Sequence, residues 1–195
     1  LRKEQNLVKR TKLGGSGSKI GQKQIKEVVI LRRFVPPELY AERASGPQDP
    51  SAHPTAKRRN HWENWEAMEA RFADRLPFKR WEPAVLQDYC RYGVLPGPEG
   101  DFVLACPPEV EASIYLGSAG RDIYQRIPEV RVPVTVLRAP PRTGPRDVMD
   151  FSASPTWPDL ASKFPQARDV VLPEHSHFIP MEAPALTAAY ILGER

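Results

Sequence analysis

Glu174-His175-Ser176-His177-Phe178-Ile179-Pro180-Met181-Glu182 is the stretch on which the fold of this chain turns. It follows Asp169-Val170-Val171-Leu172-Pro173, a short run whose branched apolar residues predict a buried strand. Behind it, Glu182-Ala183-Pro184 predicts a helix start, because a proline in the first turn gives up no N–H that the helix needs. Leu186, Ala189 and Tyr190 then recur at helical spacing. The stretch is therefore a loop with two histidines between a strand and a helix. The end of a sheet is fixed by its ladder while the loop beyond it is open, so an imidazole there can meet a substrate without dragging the core along.

Working outward, Val130-Arg131-Val132-Pro133-Val134-Thr135-Val136-Leu137-Arg138-Ala139 predicts a second core strand. Val28-Val29-Ile30-Leu31 predicts a third, parallel one, ended by Pro36-Pro37. Between them, residues 41–60 carry Gly46, Pro47, Pro50 and Pro54 among polar residues and predict a loop. Trp62, Trp65, Met68, Ala70 and Phe72 approximate helical spacing over 61–75. A second helix is predicted from Pro83 to Tyr92, with Val85, Leu86, Tyr89 and Cys90 on one face and Gly93 as its cap. Asp159 is a candidate cap for a short helix running from Ala161 to Phe164.

Composition bounds the class. A chain of 195 residues with 41% hydrophobic and 27% charged residues can bury one real core, and no apolar run reaches the length of a membrane span. Two cysteines, Cys90 and Cys106, without a signal-like N-terminal pattern, predict a reducing, cytoplasmic setting rather than a disulfide framework. Cys106 precedes Pro107 and Pro108 and has no histidine near it in sequence, so a buried inert thiol is expected there. The net charge of +4 is uneven, since residues 1–33 hold 10 Lys or Arg against 2 Asp or Glu. Few aromatics interleave those cations and no nucleic-acid-binding signature accompanies them. Residues 1–25 are read as a solvated extension, not a nucleic-acid site.

Within that extension, Gly14-Gly15-Ser16-Gly17-Ser18-Lys19-Ile20-Gly21 fails as a phosphate loop, because Ser18 precedes Lys19 and Ile20 follows it. It fails as a dinucleotide fingerprint on glycine spacing. As a nucleophile elbow it misses Gly-x-Ser-x-Gly only where Ser18 stands for the last glycine, but Lys9-Arg10-Thr11-Lys12-Leu13 makes a poor strand ahead of it. Ser16 is the candidate nucleophile, with a flexible linker as the alternative.

Ser176-His177-Phe178-Ile179-Pro180-Met181-Glu182-Ala183-Pro184 resembles the catalytic-histidine segment of the α/β-hydrolase superfamily. Arg58-Arg59-Asn60-His61-Trp62, residues 76–83 and residues 104–112 resemble the helical cap of bacterial and fungal members. The resemblance covers about residues 26–195 and implies an α/β class with an incomplete hydrolase fold. It divides the chain into a core strand and loop over 26–40, a helical cap region over 41–128 and the last core strands with their helices over 129–195. The opening strands and the oxyanion loop of the family have no counterpart in the resemblance. It implies His177 as the general base rather than His175, and a triad acid on the loop after the strand at 130–139, where Asp150 is preferred to Asp147 because Asp147 sits near Arg142 and Arg146. Serine-dependent hydrolysis of an ester or related bond of a small molecule is the implied activity, with no cofactor and no metal. The alternative is a non-catalytic remnant or interaction module that recruits a partner chain, or a second copy, at an exposed sheet edge.

Overall fold

Val134–Arg138 is buried at every position, as expected of branched residues that carry no helical period. In the computed structural model, residues 7–9, 28–30, 35–44, 49–117, 123–144 and 150–195 are described. Along them run β1 (Leu7–Lys9), β2 (Val28–Ile30), α1 (Pro37–Ala44), β3 (His61–Trp62), α2 (Trp65–Phe72) and α3 (Pro83–Tyr92). Then come β4 (Val94–Pro96), β5 (Phe102–Leu104), α4 (Pro108–Gly117), β6 (Val134–Arg138), β7 (Ala167–Val171), α5 (Ile179–Glu182) and α6 (Pro184–Leu192). Contacts divide the chain into two compact units, one of Leu1–Val35 with Ile123–Arg195 and one of Pro36–Asp122.

The first unit is built on a sheet of order β1-β2-β6-β7. β2, β6 and β7 are parallel, and β1 pairs antiparallel with β2. A strand thus lies inside the extension for which the sequence predicts no element. Ladder pairing uses backbone donors and acceptors whatever the side chains, which is why residue pattern does not show it. Side chains alternate across β6: Val134 and Val136 pack with Ile127 and Leu160, while Leu137 packs with Ile179 and Tyr190 on the other face. Full burial of each such side chain stabilises by about 1.5–3 kcal/mol.

β7 differs from its expectation. Ala167, Arg168, Asp169 and Val171 are exposed, so this is an edge strand that pairs, among the described residues, with β6 alone. Its Asp169 receives the Arg138 guanidinium in a two-pronged contact, Nε to Oδ1 at 2.8 Å and Nη2 to Oδ2 at 2.7 Å. That pairing is what lets Arg138 sit 7% exposed on a central strand. Asp159 is also corrected: the helix it was to cap is a 3-10 turn, Ala161–Lys163, whose cap is Leu160. Asp159 contributes its carbonyl oxygen to the Ser162 N–H and Oγ–H at 3.1 and 2.7 Å, not its carboxylate. α6 ends where Gly193 takes φ +71°, a left-handed position that favours glycine.

The second unit combines α1 to α4 with a small antiparallel sheet of order β3-β5-β4. Strands of two and three residues are too short to show a period, so the sequence predicts helices and a loop over 41–60 but no strand here, and α1 runs into the start of that loop as far as Ala44. α2 starts later than the 61–75 expectation because Asn64 Oδ1 accepts the Ala67 N–H at 2.7 Å and caps it, while His61 and Trp62 pair with β5. α3 has the predicted bounds. Gly93 follows it because a Cβ there would lie 2.3 Å from the Tyr89 carbonyl oxygen. The aromatics of this unit form a chain of ring contacts: Trp62 edge-on to Phe72, Phe72 stacked on Phe78 at 4.3 Å, and Phe78 against Trp81 and Tyr89. Among the described residues, no helix is long and apolar enough to cross a membrane.

Candidate active site

The loop after β7 begins by prolonging the ladder, with the Leu172 N–H bonded to the Arg138 carbonyl at 2.8 Å. It ends at α5 and α6, where Pro180 stands in the first turn of α5 and Pro184 in that of α6, both where no N–H is needed. Ile179, 2% exposed, anchors α5 to Leu137 of β6 and Tyr190 of α6. His177 is therefore presented just past the carboxyl end of a parallel strand, the place where open α/β sheets bind ligands.

His177 is half-buried, and desolvation holds its pKa below the ordinary histidine value. Burial disfavours the cation, so the imidazole is neutral at pH 7 and able to accept a proton. Its ring lies 5.2 Å from that of Phe178, which in turn lies 5.9 Å from Phe151. The His177 backbone N–H donates to the Phe151 carbonyl at 3.2 Å. This bond joins the loop after β7 to the loop after β6.

Asp150 is the neighbour of Phe151, yet its carboxylate is engaged elsewhere. Oδ1 accepts the Ser152 N–H at 2.8 Å and the Ser152 Oγ–H at 2.6 Å, and these bonds hold its pKa below the usual carboxylate value. The structure therefore brings the loop of Asp150 to His177 through the backbone, with no hydrogen bond or ion pair between carboxylate and ring among the described contacts. Asp147 and Ser16 lie outside the described residues. The loop after β6 is closed at its base by the Ser154 N–H to the Pro140 carbonyl at 2.8 Å, and Ser154 Oγ accepts the Thr156 N–H at 3.1 Å.

Two residues inside the quoted stretch carry more of the geometry than their sequence suggests. Glu182 Oε2 accepts the Ser176 backbone N–H at 2.9 Å, and Oε1 accepts the Ser176 Oγ–H in a very short bond. Ser176 Oγ also accepts the Phe178 N–H at 3.2 Å. His175 Nδ1 stands 3.5 Å from the same Glu182 Oε2. The one available signal is the spacing of a serine and a glutamate around the histidine, which on its own predicts no contact. Among the described residues no group of three or more His, Cys, Asp or Glu side chains could hold a metal ion.

A cleft of about 210 Å³ lined by Pro133, Val134, Thr135, Gln166, Ala167 and Arg168 opens at the amino ends of β6 and β7. It lies at the other end of these strands from His177 and takes no part in the site.

No family model and no curated protein matches the chain. Solved structures resemble it in fold. The E-2-(acetamidomethylene)succinate hydrolase superposes with a TM-score of 0.58 at 18% identity, over 87% of this chain and 57% of that one. The thioesterase domain from the curacin biosynthetic pathway gives 0.55 at 14%, over 87% and 58%, and the peroxisomal alpha-beta-hydrolase from Saccharomyces cerevisiae 0.54 at 15%, over 83% and 39%. The chain has the α/β-hydrolase fold. It spans 39–58% of the length of these proteins. Within that fold β6 and β7 are consecutive parallel strands, and the two loops that meet at Phe151 and His177 leave their carboxyl ends.

Proposed function

We propose that this chain carries the histidine and acid loops of a hydrolase that cleaves an ester or related bond of a small molecule, with His177 as the general base. The observation that carries the reading is a half-buried imidazole held just beyond the carboxyl end of a parallel strand, where burial lowers its pKa. In this mechanism a serine oxygen bonds to the substrate carbonyl carbon as His177 takes the serine proton. The carbon–oxygen bond to the leaving group then breaks and that group leaves with the proton. Water, deprotonated by His177 in the second half, releases the acyl group and restores the serine. Ser16 is the proposed nucleophile, and Asp150 or Asp147 the acid that holds the ring in one tautomer. A cytoplasmic setting, in which the free thiols Cys90 and Cys106 stay reduced, belongs to the same proposal.

The test is a fluorophosphonate probe together with a p-nitrophenyl ester. Label on Ser16 and a loss of about 10⁶-fold in kcat on His177→Ala are expected. Hydrolysis that survives His177→Ala removes this residue from the mechanism. Label on no serine favours the second reading, a module that recruits a chain at the sheet edge, for which the exposed β7 is the supporting observation.

A further inference from the structure

Beside the acid proposed above, the His177 ring is aimed by the backbone on either side of it and by its packing on Phe178. That backbone is braced by a carboxylate that the mechanism above does not use. Ser176, 1% exposed, has its N–H and its Oγ–H both on Glu182, whose side chain is 3% exposed, and its Oγ accepts the N–H of Phe178. The residue before His177 and the residue after it are thus tied into one hydrogen-bonded ring of contacts that closes on α5. A buried carboxylate is tolerated only where its oxygens are fully engaged, so this arrangement has one low-energy geometry and resists sliding. On the far side the loop is pinned by Ile179 and by the bond from the His177 N–H to Phe151.

We propose that Glu182 is the positioning residue of this site, acting through Ser176 to fix the direction of the His177 imidazole. The proposal rests on the reading of His177 as the base. Glu182 touches neither the ring nor the reacting atoms in this scheme. It differs from an ordinary structural brace in what its loss does: a brace costs stability, whereas a positioning residue also changes the surroundings of His177.

The full chain tests this with Glu182→Gln, Glu182→Ala and Ser176→Ala. The His177 ring signals in NMR spectra, assigned by their loss in His177→Ala, and the rate of His177 modification by diethyl pyrocarbonate are read beside kcat and KM. In Glu182→Ala the ring signals are expected to move, modification to speed up several-fold, and kcat to fall by about 10²-fold with KM within about twofold, because a misplacement near 1 Å costs that much. Glu182→Gln keeps one oxygen for Ser176, and Ser176→Ala keeps the bond from the residue 176 N–H. Both are expected to move the same readouts in the same direction by less. Where Glu182→Ala does not fold, these milder variants carry the test. The two failures look different: a wild-type chain that cleaves no ester overturns the catalytic role of His177. An active chain whose kcat and His177 signals ignore the folded variants overturns Glu182 as its positioning residue.

Discussion

The unit of Pro36–Asp122 is held by rings, and the histidine loop of the other unit is held by a carboxylate. In the first, Trp62, Phe72, Phe78, Trp81 and Tyr89 make edge-on, tilted and stacked contacts with centroids 4.3–5.7 Å apart. Such contacts add stability over a broad range of geometries, so a ring can slide without losing much. In the second, Ser176 is caught between Glu182 and Phe178 by bonds whose strength falls off steeply with distance and angle. Apolar packing sets how firmly a unit folds. Directional polar contacts set where one atom points, and the residue proposed for chemistry sits in the second kind of environment.

The comparison is broken most directly by removing a ring. Trp81 is buried against Phe78 and Tyr89, and Trp81→Ala is expected to cost about 3–5 kcal/mol in denaturant unfolding of its unit. A loss below about 1 kcal/mol would mean that the remaining rings repack and that the chain of contacts is not the core of this unit. Next in size comes the charged pair of the sheet. Asp169→Ala leaves the Arg138 guanidinium without its carboxylate and is expected to cost about 3 kcal/mol, with a smaller loss for Asp169→Asn. Equal stability of the two variants would show that shape rather than charge holds β7 on β6.

A smaller effect comes from acid. The folded-state pKa of His177 is depressed by burial, so below the unfolded-state value of 6.5 the unfolded chain binds a proton that the folded chain resists. Stability contributed by this residue is therefore complete above pH 6.5 and is lost as pH falls towards the folded-state pKa, by at most about 1.4 kcal/mol per pH unit. Urea unfolding from pH 7.5 to 5 measures it, and the slope should vanish in His177→Ala. Asp150 adds little to that slope on the acid side of neutrality, because its pKa lies below the usual carboxylate value. Asp150→Asn keeps an oxygen for Ser152 and separates the two proposed acids: a fall in kcat near 10⁴-fold assigns the role to Asp150, and a change below about threefold leaves it to Asp147.

Much of this fold was legible because its strands and helices are periodic. The run 134–138 has branched residues at a buried centre, and α3 starts at Pro83 and ends before Gly93. Proline in the first turn of α6 and the strand before His177 located the loop that the site is built on. What was not legible depends on contacts between residues distant in sequence. Exposure of β7 follows from its having no second neighbour among the described strands, which Asp169-Val170-Val171 cannot report. The β3-β5-β4 sheet has strands too short for a pattern. Glu182 was visible in the quoted stretch, but that its oxygens close on Ser176 is set by the turn of α5, and the Asp150 carboxylate was claimed by Ser152, two residues away, through a local turn that competes with longer-range partners.

The finest test of the contrast lies at the alkaline edge. Cys90 is 0% exposed on the inner face of α3, and burial first, then the Glu69 carboxylate, push its thiol up to about 11 from an ordinary value of 9.0. At pH 8 it is a protonated, enclosed thiol, whereas Cys106 is half-buried and not the buried thiol its sequence predicts, so a disulfide reagent should titrate Cys106 in the folded chain and reach Cys90 only on unfolding. Between pH 9 and 11 the unfolded chain gives up a proton that the folded chain keeps, so the stability this residue contributes is complete below pH 9 and is lost as pH rises towards 11. Cys90→Ala should remove that alkaline loss while leaving the acid slope of His177 in place. If both slopes change together, the two units do not titrate independently, and the separation of ring-held from carboxylate-held regions fails.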